Sequence, residues 1–282
     1  MVESIWRKGK LFGFMLLAGI LLMAKPALAD SYYPYEIQGY DVTVKVGKDN
    51  VYHVTERLQV NFNQARHGIY RDIPVINNVS REDGSTSRIQ ARVTNIKTYG
   101  EKKTVGREGS YCRIQLGDKN KTLVGEHMYH ISYDYNMGKD VRKGEDEFYY
   151  NIIGTSWDTT IQNVTFHIMM PEDIDESKVG MAYGESGSTN NEGLQYTING
   201  KVMEGYVDPS IILNPGEAVT VRMVLPDGYY DQVKQRIWPA LISILLSLAA
   251  AGAAFLLWWK VGRDNVVVET IQFHPPKEFN SV

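Results

Sequence analysis

The sequence predicts an all-β fold, an antiparallel β-sandwich exported domain followed by a single transmembrane α-helix. Three observations predict it. Short apolar/polar alternations of period two, punctuated by turn residues, recur from residue 40 to residue 225. No stretch before residue 238 sustains a 3.6-residue period. Residues 238–259, WPALISILLSLAAAGAAFLLWW, then run without a formal charge. At about 1.5 Å per residue they are long enough for a hydrocarbon core of roughly 30 Å.

At the N-terminus, Arg7, Lys8 and Lys10 precede an apolar run over residues 11–24, and Ala27-Leu28-Ala29 has the small-x-small form of a signal-peptidase site. Cleavage is expected between Ala29 and Asp30. The chain therefore divides into a signal peptide (1–29), an exported β domain (30–227), the membrane helix (238–259) and a cytoplasmic tail (260–282). Lys260 and Arg263 sit directly after the span, as cytoplasmic flanks do, although Lys234 and Arg236 make the other flank basic too. Trp238, Trp258 and Trp259 suit the two headgroup layers.

Within the exported region, Tyr40, Val42, Val44 and Val46 share one face of a first strand, and Gly47-Lys48-Asp49-Asn50 turns the chain into a second with Tyr52, Val54, Leu58, Val60 and Phe62. The pair reads as a β-hairpin. Polar residues over 77–87 read as a loop, and Ile89, Ala91 and Val93 resume the alternation. A short strand over 111–116 precedes a longer one with Tyr129, Ile131, Tyr133 and Tyr135 on one face. Residues 139–147 read as a charged loop, followed by strands through Phe148, Tyr150 and Ile152 and through Val164, Phe166, Ile168 and Met170. Asn199-Gly200 between alternating residues is a strong hairpin signal. Val219, Val221, Met223 and Leu225 form the last strand, and residues 266–273 have the pattern of one more beyond the span. Ten or so strands result. Pattern alone leaves open a break near residue 154 between two subdomains.

Composition narrows the function classes. With a net charge of −3 the chain has no basic excess to follow a phosphate backbone, so nucleic acid is not an expected partner. The single cysteine, Cys112, excludes an internal disulfide and reads as a buried inert thiol. The 18 tyrosines suit strands, and could also line a carbohydrate or peptide groove.

Several strings resemble those of the YciQ-like predicted bacterial membrane proteins, which carry an exported domain of unknown function (number 2207). They are Val54-Thr55-Glu56, His67-Gly68-Ile69-Tyr70-Arg71-Asp72-Ile73-Pro74, Tyr129-His130-Ile131-Ser132-Tyr133, Glu145-Asp146-Glu147-Phe148-Tyr149-Tyr150-Asn151, Trp157 and Val261-Gly262-Arg263-Asp264. The resemblance implies a signal peptide, an exported β domain, a membrane helix and a cytoplasmic continuation, with no established activity. Such proteins usually continue past the Pro-Pro segment with further apolar helices, whereas the sequence here stops at Val282.

The search for chemistry finds little. His127 and His130, three apart on a strand, face opposite sides and cannot share a metal; surface or loop positions are expected for them. Gly184-Glu185-Ser186-Gly187 lacks the spacing of a nucleophile elbow, and no Gly-x-x-x-x-Gly-Lys appears. Glu145, Asp146, Glu147 and Asp158 are the acidic group from which a glycan hydrolase would draw paired carboxylates, and a solvated loop is the simpler reading. A calcium site lacks its Asp-x-Asp-x-Asp-Gly loop. No cofactor or metal is expected.

The leading expectation is a non-enzymatic binding or scaffolding module at the bacterial cell surface, with the lipid bilayer and a cell-wall polymer or membrane protein as partners. The alternatives are a cell-wall or glycan hydrolase using residues 145–158 and a subunit of a membrane complex. Two residue-level expectations accompany these. Ser243, Ser247, Ala250, Ala251 and Ala254 place small side chains at about four-residue spacing, which would permit weak self-association of the span. Glu56 falls on the apolar face of its strand and needs a partner; Arg71 is the first candidate and Arg66 the second, and a bulge that turns Glu56 to solvent is the alternative.

Overall fold

The computed structural model describes residues 33–80, 84, 86–139, 144–233 and 238–262. The expected cleavage site at Ala29 and Asp30, the basic residues Lys234, Arg236 and Arg263, and the strand expected over 266–273 lie outside the described residues. The chain forms two units, one ending at Lys234 and one beginning at Gln235.

The first unit is built from strands. Its largest sheet has seven: β1 (Tyr35–Val46), β2 (Val51–Arg66), β6 (Arg92–Thr98), β9 (Leu123–Asn136), β11 (Val164–Met169), β13 (Leu194–Asn199) and β14 (Val202–Val207). Their order is β13-β14-β11-β1-β2-β9-β6. The period-two alternation decides the inner face: Tyr40, Val42 and Val44 of β1, Tyr52, Val54 and Leu58 of β2, and Tyr129, Ile131 and Tyr133 of β9 are all buried. β1 and β2 pair antiparallel through the predicted turn, with Val44 opposite Val54. β1 also pairs with β11, and this contact is parallel.

Two three-stranded sheets share the core of the large one. They are β3 (Gly68–Pro74), β8 (Tyr111–Gly117) and β7 (Lys103–Glu108) in the order β3-β8-β7, and β10 (Glu145–Ile153), β15 (Ala218–Pro226) and β12 (Val179–Gly184) in the order β10-β15-β12. Ile73 and Ile114 from the first and Phe148 and Val221 from the second join a single hydrophobic core with the inner face of the large sheet. Strands on either side of residue 154 contribute to the same large sheet and the same core. Both β3 and β10 are edge strands. Ser156, just past β10, donates its hydroxyl to the backbone oxygen of Asp72 on β3 at 2.9 Å.

Five elements differ from the sequence reading, each for a physical reason. The polar stretch 77–87 is largely a hairpin of β4 (Ile76–Ser80) and β5 (Thr86–Gln90), and β7 was not anticipated. All six residues of β7 are exposed, and so are Asn78, Thr86, Arg88 and Gln90 of the hairpin. With no buried face β7 has no need to alternate and leaves no period-two trace, while the hairpin is hidden by the polar residues of 77–87. β12, also unanticipated, spans six half-buried or exposed residues and is equally faint. The charged loop expected over 139–147 instead becomes strand from Glu145 onward, because Asp146 and Glu147 are buried with partners that offset their desolvation.

The second unit contains one helix, α1 (Trp238–Val261), whose 24 residues extend about 36 Å. Among the described residues it is the one helix long and apolar enough to cross a membrane.

Candidate functional site

Glu56 and Arg71 meet in the core of the first unit. Glu56 lies on β2 opposite Val42 of β1 and Ile131 of β9, so its carboxylate rises from the middle of the large sheet towards the second layer. On β3, Ile69, Arg71 and Ile73 point inward while Tyr70 and Asp72 point out, which brings the guanidinium down over that carboxylate. Arg71 Nε donates to Glu56 Oε2 at 2.9 Å and to Oε1 at 3.2 Å, and Nη2 donates to Oε1 at 2.8 Å. The Glu56 side chain is 0% exposed and that of Arg71 2%. Arg66, the second candidate, does not hold this carboxylate.

Two tyrosines complete the shell. Tyr133 Oη donates to Oε1 at 2.6 Å and Tyr40 Oη to Oε2 at 2.8 Å. Tyr133 and Tyr150 hydroxyls lie 3.0 Å apart, linking β9 to β10. Trp157 packs beneath: Arg71 Cζ is 5.6 Å from its ring centroid, and Tyr40 meets the same ring edge-on at 5.8 Å. Burial alone would push the Glu56 carboxyl up, but the Arg71 charge and the hydrogen bonds from Arg71, Tyr133 and Tyr40 hold it below its ordinary value. Burial raises Tyr40 and Tyr133 well above the usual phenol range.

This arrangement has a definite chemical character. Both carboxylate oxygens are occupied by donors, the group is inaccessible, and its proton affinity is lowered, so Glu56 is suited neither to deliver a proton nor to attack a substrate. It ties β2, β3, β9 and β1 together instead. Sequence reading singled out Glu56 and Arg71 but missed Tyr40, Tyr133 and Trp157. Tyr40 and Tyr133 are the diagonal cross-strand neighbours of Glu56, opposite Leu58 and Val54, respectively. A polar-tipped ring at each diagonal of an inward carboxylate is the signal that was available.

Beside the guanidinium, a narrow pocket opens between β3 and β10. Arg71, Pro74, Tyr135, Tyr149, Asn151 and Gly154 are among its lining residues.

The other singled-out residues serve structure. Asp146 accepts from the Tyr230 backbone N–H at 3.0 Å, Glu147 from Arg222 Nε at 2.6 Å, and Asp158 from Tyr35 Oη at 2.6 Å. The acidic segment is therefore not the solvated loop expected: Asp146 and Glu147 are 7% and 6% exposed. His127 and His130 are half-buried on β9 rather than in a loop. His127 meets Glu101 at 2.7 Å, while His130 stacks on Tyr99 across the strand's other face. Cys112 is half-buried, and burial together with Asp72 raises its thiol. Seven tyrosines of the strands, including Tyr52 and Tyr129, are core residues, and of these Tyr135 and Tyr150 also line the pocket. On α1, Ser243 Oγ donates to the Ala240 carbonyl and Ser247 Oγ to that of Ser243, each at 2.8 Å, so both hydroxyls are used within the helix. Ala250, Ala251 and Ala254 continue the exposed small-residue face.

Comparison with known proteins adds a family. Residues 36–225 match the model described as "Predicted membrane protein (DUF2207) N-terminal domain". No curated protein matches the chain. Among solved structures, an M1 zinc metallopeptidase from Deinococcus radiodurans aligns with a TM-score of 0.35 and 11% identity, over 67% of this chain and 42% of that one. Native leukotriene A4 hydrolase from Saccharomyces cerevisiae aligns with a TM-score of 0.38 and 6% identity, over 71% of this chain and 32% of the other. In both cases the alignment spans less than half of the solved chain.

Proposed function

The chain belongs to the DUF2207 family of predicted membrane proteins, and we propose that its β domain is a non-enzymatic binding or scaffolding module, held by one span on the outer side of a bacterial membrane. The observation that carries this reading is the closure of the Glu56 centre. Its carboxylate is spent on Arg71, Tyr40 and Tyr133, and its pKa moves away from the raised value a general acid requires.

The orientation rests on the N-terminal sequence, whose basic start, apolar run and Ala27-Leu28-Ala29 have the form of an export signal, and on Lys260 beyond the span. The hydrolase alternative draws on residues 145–158, where Asp146, Glu147 and Asp158 each hold a structural partner. A glycosidase needs two carboxyls flanking one bond, one of them protonated.

The test incubates full-length protein in detergent with purified cell wall, alongside Glu147→Gln and Asp158→Asn. The expected result is sedimentation of the protein with the wall and no release of soluble glycan. Release that either substitution abolishes would establish the hydrolase instead. Recovery with a stoichiometric membrane protein after mild solubilisation, without wall binding, would assign the chain to a complex.

A further inference from the structure

The pocket beside Arg71 is lined by side chains with hydrogen-bond donors to spare. A guanidinium carries five N–H bonds. Nε and Nη2 each direct one to Glu56, and Nη1 directs one to the backbone oxygen of Asp72 at 2.8 Å. One N–H on Nη1 and one on Nη2 are left, on a side chain 2% exposed that lines the pocket. Asn151 stands on the opposite wall. Its Oδ1 accepts from Thr220 Oγ1 at 3.0 Å, which fixes the amide and leaves the Nδ2 donors unspent. Beneath the guanidinium, Trp157 Nε1 is a further buried N–H without a partner.

Two acceptors nearby, both on β3, are already engaged. Asp72 O takes both Arg71 Nη1 and Ser156 Oγ, and Pro74 O takes Tyr135 Oη at 2.8 Å. Arg71 and Asn151, which line two walls of the pocket, therefore each hold unused donors. An unmet buried donor is destabilising, and a charged one more so. The chemical complement of such a pocket is an oxygen acceptor, and an anionic one answers a guanidinium best.

The pocket lies between the edge strands of two sheets, and with the side chains as they stand it has space for a water-sized group. Gly154 keeps that space open beside the guanidinium, where a Cβ would come to 3.7 Å from Arg71 Nη1. The backbone there is outside the left-handed region, so nothing conformational demands a glycine. Ile73, Pro74 and Met137 are the apolar residues of the pocket's lining.

We propose that this cleft between β3 and β10 is a carboxylate-binding site, in which the outer edge of the Arg71 guanidinium and the Asn151 amide receive the two oxygens. Glu56 plays a positioning role: it takes the inner edge of the guanidinium and turns the outer edge to the cleft. The proposal deepens the binding-module reading and rests on it.

The test uses full-length protein in detergent and isothermal calorimetry at constant ionic strength. The probes are sodium acetate, N-acetyl-alanyl-alanine with a free C-terminus, and the same dipeptide as its C-terminal amide. Saturable binding of the free dipeptide is expected, with the amide at least tenfold weaker. Acetate binding as well as the dipeptide would mark the site as one for small free carboxylates; a clear preference for the dipeptide would mark it as one for chain ends. Gly154→Val, which fills the space over Nη1, and Asn151→Ala should each weaken binding at least tenfold while the thermal midpoint confirms a folded domain. Equal affinity for acid and amide, no binding by any probe, or binding unchanged in both variants would overturn the site. If the protein still sediments with cell wall in that case, the module reading stands and only the carboxylate site falls.

Discussion

Two arginine–carboxylate forks sit back to back on β3. Arg71 points into the core and grips Glu56; Asp72, the next residue, points outward and is gripped by Arg113 from β8. Their geometries are nearly the same, with Arg113 Nε to Oδ1 at 2.8 Å and Nη2 to Oδ2 at 2.7 Å against 2.9 and 2.8 Å for the inner pair. Their surroundings are not. The inner side chains are 2% and 0% exposed, the outer ones 38% and 13%. The outer arginine also lies over the exposed ring of Tyr70, at 5.1 Å, where the inner one lies over buried Trp157. Distance alone therefore does not rank ion pairs. What separates these two is the cost of losing one partner, which water absorbs on the outside and cannot absorb on the inside.

The largest contrast comes from removing one inner partner. Glu56→Ala leaves a buried guanidinium uncompensated and should lower unfolding stability by about 3–5 kcal/mol, measured by denaturant titration. Acid should reproduce part of this loss. Glutamate ordinarily titrates near 4.5, and the folded Glu56 carboxyl lies below that. Above 4.5 the pair's contribution is complete. As pH falls below 4.5, the unfolded chain takes up a proton that the folded chain refuses, and the contribution disappears by the time the folded carboxyl protonates. Glu56→Gln should accordingly show a flatter stability profile than the parent below pH 4.5, and parallel profiles would place the acid sensitivity elsewhere.

Replacing both inner partners sharpens the comparison. Glu56→Leu combined with Arg71→Met should be more stable than either single variant, because no charge is left buried alone. Tyr133→Phe removes one donor from the carboxylate and one contact from Tyr150, and should cost about 1.5–3 kcal/mol. The outer pair gives the smallest effect. Arg113→Ala should shift the thermal midpoint only slightly, and salt should shrink the difference further. A loss as large as that of Glu56→Ala would break the contrast.

Much of the fold was legible from residues alone because burial imposes a period. β1, β2, β9 and β15 each have one face in the core, and their alternation marks them without reference to any partner. β7 escaped because all six of its residues are exposed and nothing enforces alternation, and the β4–β5 hairpin because residues 77–87 are nearly all polar. The candidate site divides in the same way. Glu56 stood out as a charge in an apolar pattern, which is a local conflict that sequence displays.

Which groups resolve that conflict depends on contacts across strands. Sequence by itself determined a β-rich domain, one apolar helix of spanning length and an inward carboxylate in need of a cation. Tertiary structure alone decided that β11 pairs parallel to β1, that Tyr40 and Tyr133 flank Glu56, and that the edges of β3 and β10 leave a cleft lined by Arg71, Asn151 and Gly154. The physical reason is range. Side-chain periodicity is set by neighbours two residues away, whereas pairing and cleft formation join residues well separated along the chain, as Tyr133 to Glu56 does across 77 and Ser156 to Asp72 across 84.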